Sequence, residues 1–358
     1  MQAIIIAGGQ GTRLRPLTYD LPKPILPMFH RPFLHYQIDL LKRHGIDDVI
    51  LNLHYLGEVL ERDLGDGSQW GVRLRYVYET EPMGTAGAVA LARPLLGDEP
   101  VLVMNGDVLT DLDLSHFLAF HRQIGGPVTI ALTRVSDPTA YGLAFLDGQG
   151  RITRFLEKPS ADEASVDTVS AGIYWIEPAV LDRVPGDQPY SFERGLFPGL
   201  LDADAAVGGY LARGAYWLDI GTPRNYYQAH CDMMSGRMTL AIPDLQPNSD
   251  QVWMGTDVQI DPTASLLGPV YLGHGVRIGR GARLNPYTVL FDGVTIGEGT
   301  WVERSLIWSG SFIGPQCRLQ GTIIGAGSLI DRDCRLGDGV VLAGGTKLGR
   351  GSLLLPGR

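Results

Sequence analysis

Up to about Gly236 the chain alternates short runs of β-branched and aromatic residues with segments whose apolar residues recur at helical spacing. QAIIIAG, DVILNLH, VRLRYVYE, VLVMNGDV, VTIALTRV, GLAFLD, ITRFLEK and SAGIYWIE read as strands, and PFLHYQIDLLKRHG and SHFLAFHRQI as amphipathic helices. Strands and helices in alternation predict an α/β domain over residues 1–238, Rossmann-like, with a mixed, mainly parallel sheet.

LAIPDLQPNSDQ then carries two prolines and several turn formers without an apolar period, which predicts a linker over 239–255. A new rhythm occupies 256–358. From Ile260 an aliphatic residue returns at every sixth position through Leu266, Leu272, Ile278, Leu284, Leu290, Ile296 and Val302. After two five-residue steps the period resumes at Ile330, Leu336, Leu342, Leu348 and Leu354. Glycine follows many of these residues, as in IGRGAR and LGDGVV. This is the hexapeptide pattern of a left-handed parallel β-helix. Each repeat supplies one flat face of a triangular coil, its aliphatic residue points inward, and glycine serves the corner. Such coils expose flat faces and ends that favour homo-oligomers. Trp253, Trp301 and Trp308 are either interface anchors or corner packing.

Hydrophobic residues at 44% and charged residues at 19% fit a turn-rich globular protein of two cores. The net charge of -9 argues against non-specific binding of nucleic acid or an anionic membrane, so a phosphate ligand must be met by a few local cations and backbone amides. Cys231, Cys317 and Cys334 form no CxxC pair and adjoin no histidine cluster, which indicates neither zinc nor a disulfide framework. No apolar run approaches the roughly 18 residues of a membrane span. A cytoplasmic protein is expected.

The first strand runs into GGQGTRLRPLT and then LPKP. A glycine-rich loop after a strand can be an ordinary tight turn. Here Gly8, Gly9 and Gly11 are joined by Thr12, Arg13 and Lys23, which gives amides, a hydroxyl and two cations to an otherwise acidic chain. The spacing is neither that of a P-loop nor the GxGxxG of a dinucleotide fold. Asp107 ends the strand of VLVMNGDV at the carboxyl edge, where open α/β sheets bind ligands, although a lone aspartate there can also cap the next element. Asp219 in YWLDIGTP is a second carboxylate. Two carboxylates suit Mg²⁺, which takes few protein oxygens and completes its shell with water and phosphate. Glu157 and Lys158 should face opposite sides of their strand unless the chain bends at Pro159, and a solvated ion pair is the alternative to a functional role.

AGGQGTRLRPLT followed by PKP resembles the signature of the sugar-1-phosphate nucleotidyltransferase family. EPMGTAGA, NGDV, YG, FLEKP, SAGIY, SFERGLFP and YWLDIGTP follow in the family's order across the first domain. The resemblance implies a Mg-assisted, in-line transfer from a nucleoside triphosphate to a hexose 1-phosphate with release of pyrophosphate. Arg13 would hold the β- and γ-phosphates, Lys23 the α-phosphate, and Ala7, Gly8, Gly9, Gly11, Thr12, Gly84 and Thr85 the rest of the nucleotide. Asp107 and Asp219 would hold the metal. Lys158 would grip the sugar phosphate and Glu157 the sugar hydroxyls, while Gly142 and Gly172 would bring backbone beside the hexose. The attacking phosphate oxygen is already anionic, so position and charge do the catalysis.

Family members that use uridine or thymidine triphosphate commonly carry Gln five positions before the glycine that opens the EPMGTAGA loop, here Gly84. This chain has Glu79. An ionised carboxylate only accepts hydrogen bonds, and guanine presents two adjacent donors, which favours GTP. The alternative is a solvent-facing Glu79 with Glu81 or backbone reading the base. EPMGTAGA and the β-helix together resemble the guanylyltransferase branch, which implies mannose 1-phosphate. Many relatives have Asn where this chain has Ser170, so glucose 1-phosphate with another triphosphate stays open. So do a non-catalytic regulatory subunit and a β-helix with acyltransferase activity.

Overall fold

The computed structural model describes residues 1–239, 242 and 245–355. Positions 240, 241, 243 and 244 of the expected linker, and 356–358 of the expected β-helix, lie outside the described residues. Contacts group the chain into two compact units. One is Met1–Gln10, Pro22–Pro24 and Tyr36–Trp217; the other is Gly11–Leu21, Ile25–His35 and Leu218–Arg358.

The first unit is built on a nine-stranded sheet. Its strands are β1 (Gln2–Ile6), β2 (Asp48–Leu53), β3 (Arg73–Tyr78), β4 (Val101–Asn105), β5 (Val128–Arg134), β6 (Gly142–Leu146), β7 (Ile152–Glu157), β8 (Thr168–Ile176) and β9 (Val207–Leu211). The order is β7-β6-β8-β4-β1-β2-β3, with β5 pairing β8 and β9. Strands β4, β1, β2 and β3 run parallel; β8 joins antiparallel to β4, β5 and β6, and β9 runs parallel to β5. The parallel half explains the continuous apolar runs, because strands covered on both faces need no polar alternation. Ile4, Ile50 and Val103 are fully buried together.

All eight strand segments expected in this domain form, and VGGYL adds a ninth. The two expected helices form as Phe33–Arg43 and Leu114–Ile124. The second is capped by Asp113, whose carboxylate accepts from His116 N, and is closed by Gly125 in a left-handed conformation. A further helix, Gly84–Leu91, lies in the EPMGTAGA segment.

In the second unit three parallel six-stranded sheets stack into a left-handed β-helix. Strands such as Arg277–Ile278, Thr295–Ile296 and Phe312–Ile313 pair in register from coil to coil. Ile278, Leu284, Leu290, Ile296, Val302, Ile307, Ile313, Leu319, Ile324 and Ile330 form the inner column. Ile307 and Ile324 are where the five-residue steps fall. Each fully buried aliphatic side chain contributes roughly 1.5–3 kcal/mol of transfer free energy, so the column is a main source of the coil's cohesion. One more strand, Val252–Met254, precedes Ile260 and completes the first coil.

The outer side of one sheet is covered by helix Pro223–Met234. Tyr226 meets Trp308 with ring centroids 6.2 Å apart, and His230 meets Phe291 at 5.9 Å. Trp253 and Trp308 are 7% and 5% exposed, so they are packing residues of this unit and not surface anchors. Trp301 is half-buried beneath the Arg318 guanidinium, 4.4 Å from its ring centroid.

Candidate active site

The first unit gathers its candidate residues along the carboxyl edge of β1, β2 and β4. Parallel pairing with level register ends β1 at Ile6 and β4 at Asn105 side by side. The following segments interlock there: Gly106 N donates to Ile6 O at 2.9 Å, and Ala7 N to Asn52 O at 2.9 Å. A Cβ on Gly106 would lie 2.7 Å from Ile6 O, which explains the glycine of NGDV.

Gly8 and Gly9 leave this edge along a cavity of about 320 Å³, which His54, Glu79, Gly84 and Thr85 also line. A Cβ at Gly8 would stand 2.9 Å from Glu79 Oε1, whereas one at Gly9 would meet nothing within 4 Å. A side chain at position 8 would crowd the Glu79 carboxylate and His54, whereas position 9 is open. Glu79 is half-buried and faces Gly8, so its solvent-facing alternative is not what the fold adopts. Burial raises its carboxyl above the usual range, opposed by the Met83 N–H, which donates to Oε2 at 2.9 Å, and by His54.

Lys23 and Asp107 form an ion pair of 2.5 Å between Nζ and Oδ2, with side chains 15% and 18% exposed. Helix Gly84–Leu91 begins at Gly84, which has φ +72°; its would-be Cβ would strike Tyr190 O at 2.7 Å. That carbonyl accepts from Ala86 N and Gly87 N, both at 3.0 Å, so a distant loop caps this helix.

On the other side of β4, β7 ends at Glu157 and Lys158 has φ +49°. The chain thus leaves the extended conformation at Lys158, one residue before Pro159. Glu157 is half-buried near Gly142, whose would-be Cβ would lie 3.0 Å from Glu157 Oε2. Burial, and then the neighbouring Glu193, raise the Glu157 carboxyl, while Lys158 and Arg194 oppose them. Lys158 is exposed, and its N–H donates to Tyr141 O at 3.0 Å. In β8 the pairing with β5 slips between Ser170 and Tyr174. Gly172 stands in that bulge with φ +69°, its N–H donating to Ser170 Oγ at 3.3 Å. The Asn105 amide fills the space a side chain there would need, 2.5 Å from the would-be Cβ. Trp217 Nε1 donates to Ala171 O at 2.8 Å, and its ring meets Tyr141 edge-on at 5.4 Å.

Gly11, Thr12, Arg13 and Asp219 belong to the second unit. Gly11 has φ +60° and starts a one-turn helix at Thr12; its carbonyl accepts from Leu14 N and from Thr18 Oγ1. Arg13 NH2 lies 3.6 Å from Asp219 Oδ2, with side chains 61% and 13% exposed. Asp219 Oδ1 accepts from Gly221 N at 2.6 Å, and Thr222 then caps helix Pro223–Met234. The candidates are thus drawn into two ion pairs, Lys23 with Asp107 and Arg13 with Asp219. Sequence reasoning assigned nothing to Asn105, Tyr190, Glu193 or Trp217. Asn105, Glu193 and Trp217 lie within the noted segments NGDV, SFERGLFP and YWLDIGTP, and that adjacency is their only signal.

An open α/β sheet with a glycine loop and the Lys23–Asp107 pair at its carboxyl edge is the arrangement in which α/β folds place ligands. Residues 2–236 match the Nucleotidyl transferase family and 266–354 the GMPPB C-terminal domain. The chain belongs to the nucleotidyl transferase family and is an enzyme of that class. It is 38% identical to the mannose-1-phosphate guanylyltransferase of Mycobacterium tuberculosis, over 85% of this chain and 83% of that one. It is 32% identical to the UTP--glucose-1-phosphate uridylyltransferase of Synechocystis, over 88% and 84%. Among solved structures, HddC from Yersinia pseudotuberculosis complexed with GMP-PN aligns with a TM-score of 0.55 at 27% identity, covering 64% of this chain and 97% of that one. Among the described residues no helix is long and apolar enough to cross a membrane.

Proposed function

We propose that the enzyme transfers the guanylyl group of GTP to mannose 1-phosphate. An oxygen of the sugar phosphate attacks the α-phosphorus, the bond to the β-phosphate breaks, and pyrophosphate leaves as GDP-mannose forms. The observation that carries the base assignment is Glu79, half-buried beside Gly8 in a cavity of about 320 Å³ with Oε1 on the glycine side. A carboxylate there offers only acceptors, which match the N1–H and N2–H₂ donors of guanine and oppose the carbonyls of uracil or thymine. The relative from Mycobacterium tuberculosis, named for this reaction, supports the same reading.

Gly8, Gly9 and Gly11 with Ala7, Thr12, Gly84 and Thr85 bind the nucleotide in this proposal. Arg13 and Lys23 hold its phosphates, Lys158 holds the sugar phosphate, and Glu157, Gly142, Ser170 and Gly172 hold the hexose. Asp107 and Asp219 are hard anionic oxygen donors, the ligand type that Mg²⁺ takes in small number, and would hold it in this proposal. When bound, Mg²⁺ would neutralise charge on the phosphates. The chain's own cations position two anionic substrates against their mutual repulsion, and no side chain must remove a proton.

In this reading the catalytic domain spans 1–238 and the β-helix joins copies of the chain in the cytoplasm, and the two family matches support these parts; the expected linker over 239–255 and β-helix over 256–358 shift at their boundary, because strand Val252–Met254 already belongs to the first coil. The uridylyltransferase relative favours one second reading, UTP with glucose 1-phosphate. Purified protein is offered four triphosphates against mannose 1-phosphate and glucose 1-phosphate, with and without Mg²⁺, and pyrophosphate is measured. The expected result is GTP with mannose 1-phosphate fastest and dependent on Mg²⁺. Preference for another pair, or no release with any, overturns it.

A further inference from the structure

Glu193 stands outside the roles assigned above, yet its carboxylate joins two segments that the proposed function uses separately. Oε2 accepts from Thr85 Oγ1 at 3.0 Å and from Ser191 Oγ at 2.7 Å. Oε1 accepts from Tyr174 Oη at 2.9 Å. Thr85 belongs to the first turn of the helix that lines the Glu79 cavity. Tyr174 lies on β8 two residues after Gly172 and is 1% exposed. The loop carrying Glu193 is fastened to the same helix start by three backbone bonds: Tyr190 N to Met83 O at 2.7 Å, and Ala86 N and Gly87 N to Tyr190 O. Thr85 Oγ1 also accepts from Phe192 N at 2.9 Å.

All three hydroxyls donate to one half-buried carboxylate, so each bond has an ionised acceptor and is stronger than a neutral one of the same geometry. Ser191 also caps the following turn, its Oγ accepting from Glu193 N and Arg194 N. The third partner, Tyr174, lies outside the loop, on β8. It fixes the loop to the strand beside Gly172 and Glu157.

We infer that Glu193 is a positioning residue that locks the nucleotide-side helix start and the sugar-side strand together, so that both substrates are bound in one arrangement. This rests on the proposed reading of the two sides as nucleotide and hexose phosphate subsites. It predicts that loosening the lock at either end weakens both substrates. A residue that served only stability would lower the active fraction and leave both KM values alone.

The test uses Glu193→Gln, which keeps size and loses the charge, and Tyr174→Phe, which loses only the hydroxyl. Phe retains the ring contacts of Tyr174 with Phe192 and Phe197, both at 5.2 Å, so this variant carries the test if the first does not fold. Initial rates of pyrophosphate release give kcat and both KM values, and thermal unfolding gives stability. The expected result for either variant is a rise of about fivefold or more in the KM of triphosphate and of sugar phosphate alike, with a smaller change in kcat. Unchanged KM values, or a rise in one only, overturn the inference while an active wild type leaves the proposed reaction standing. A wild type inactive with every substrate pair overturns both.

Discussion

Lys23 Nζ and Asp107 Oδ2 lie 2.5 Å apart with both side chains largely withdrawn from solvent, although the two residues are 84 positions apart in the chain. A pair of this kind is costly to break from one side, since the remaining charge is left buried. Each member must also stay close to where phosphate and metal charge are proposed to gather.

Asp107→Asn keeps an acceptor for the Lys23 ammonium and removes the carboxylate charge. Turnover is expected to fall about 100-fold or more, while stability falls by about 1–3 kcal/mol, less than the full cost of an unpaired buried charge because the amide oxygen still accepts from Lys23. Pyrophosphate release and urea unfolding of the purified variant check the two expectations separately. Near-normal turnover would remove Asp107 from the proposed mechanism.

Glu79→Gln replaces an acceptor-only group by one that also donates. The kcat/KM for GTP is expected to fall about 10- to 100-fold, the size of one good base contact, and the ratio of UTP to GTP use should rise. The same substrate matrix measures it. An unchanged ratio would move base selection elsewhere.

Burial and Glu193 raise the Glu157 carboxyl above its ordinary value of 4.5. A group that binds its proton more tightly when folded favours the fold most below the unfolded value, and that advantage is lost as pH rises through the folded value. Glu157→Gln cannot ionise. Its stability relative to wild type should therefore improve as pH is raised from about 4 towards neutral, as read by urea unfolding at a series of pH values. A difference that is flat with pH, or that slopes the other way, would contradict the burial of this carboxyl.

Gly172→Ala meets two obstacles, a left-handed backbone and the Asn105 amide 2.5 Å from the new Cβ. A loss of about 1–3 kcal/mol is expected, with a raised KM for sugar phosphate. Adding Asn105→Ala should restore only part of the stability, because it removes the clash and leaves the backbone strain. Thermal unfolding of the three variants distinguishes the contributions.

The β-helix was legible in the sequence down to its irregular steps. Each inner residue answers to neighbours one coil away, as Ile278 pairs with Ile296 and Ile296 with Ile313, so the repeat itself encodes the packing. The strands of the parallel half were equally plain, since burial on both faces writes itself as a continuous apolar run. VGGYL was missed because two glycines lower its strand propensity. It forms because β5 pairs with it and because Gly209 leaves room for Leu146, Ile152 and Leu132. The helix at Gly84 lacks a side-chain cap of its own and relies on the Tyr190 carbonyl.

Period and motif order thus determined the two architectures and marked the glycine loop and the charged residues of the candidate site, because each is written in the local pattern of the chain. Only the tertiary structure decided who partners whom: Lys23 with Asp107, Arg13 with Asp219, Asn105 against Gly172, and Glu193 between Thr85 and Tyr174. It also turned Trp253 and Trp308 from candidate surface anchors into buried packing residues. Such pairings depend on how sheet register and loop closure bring distant positions to one edge, and no local periodicity carries that information.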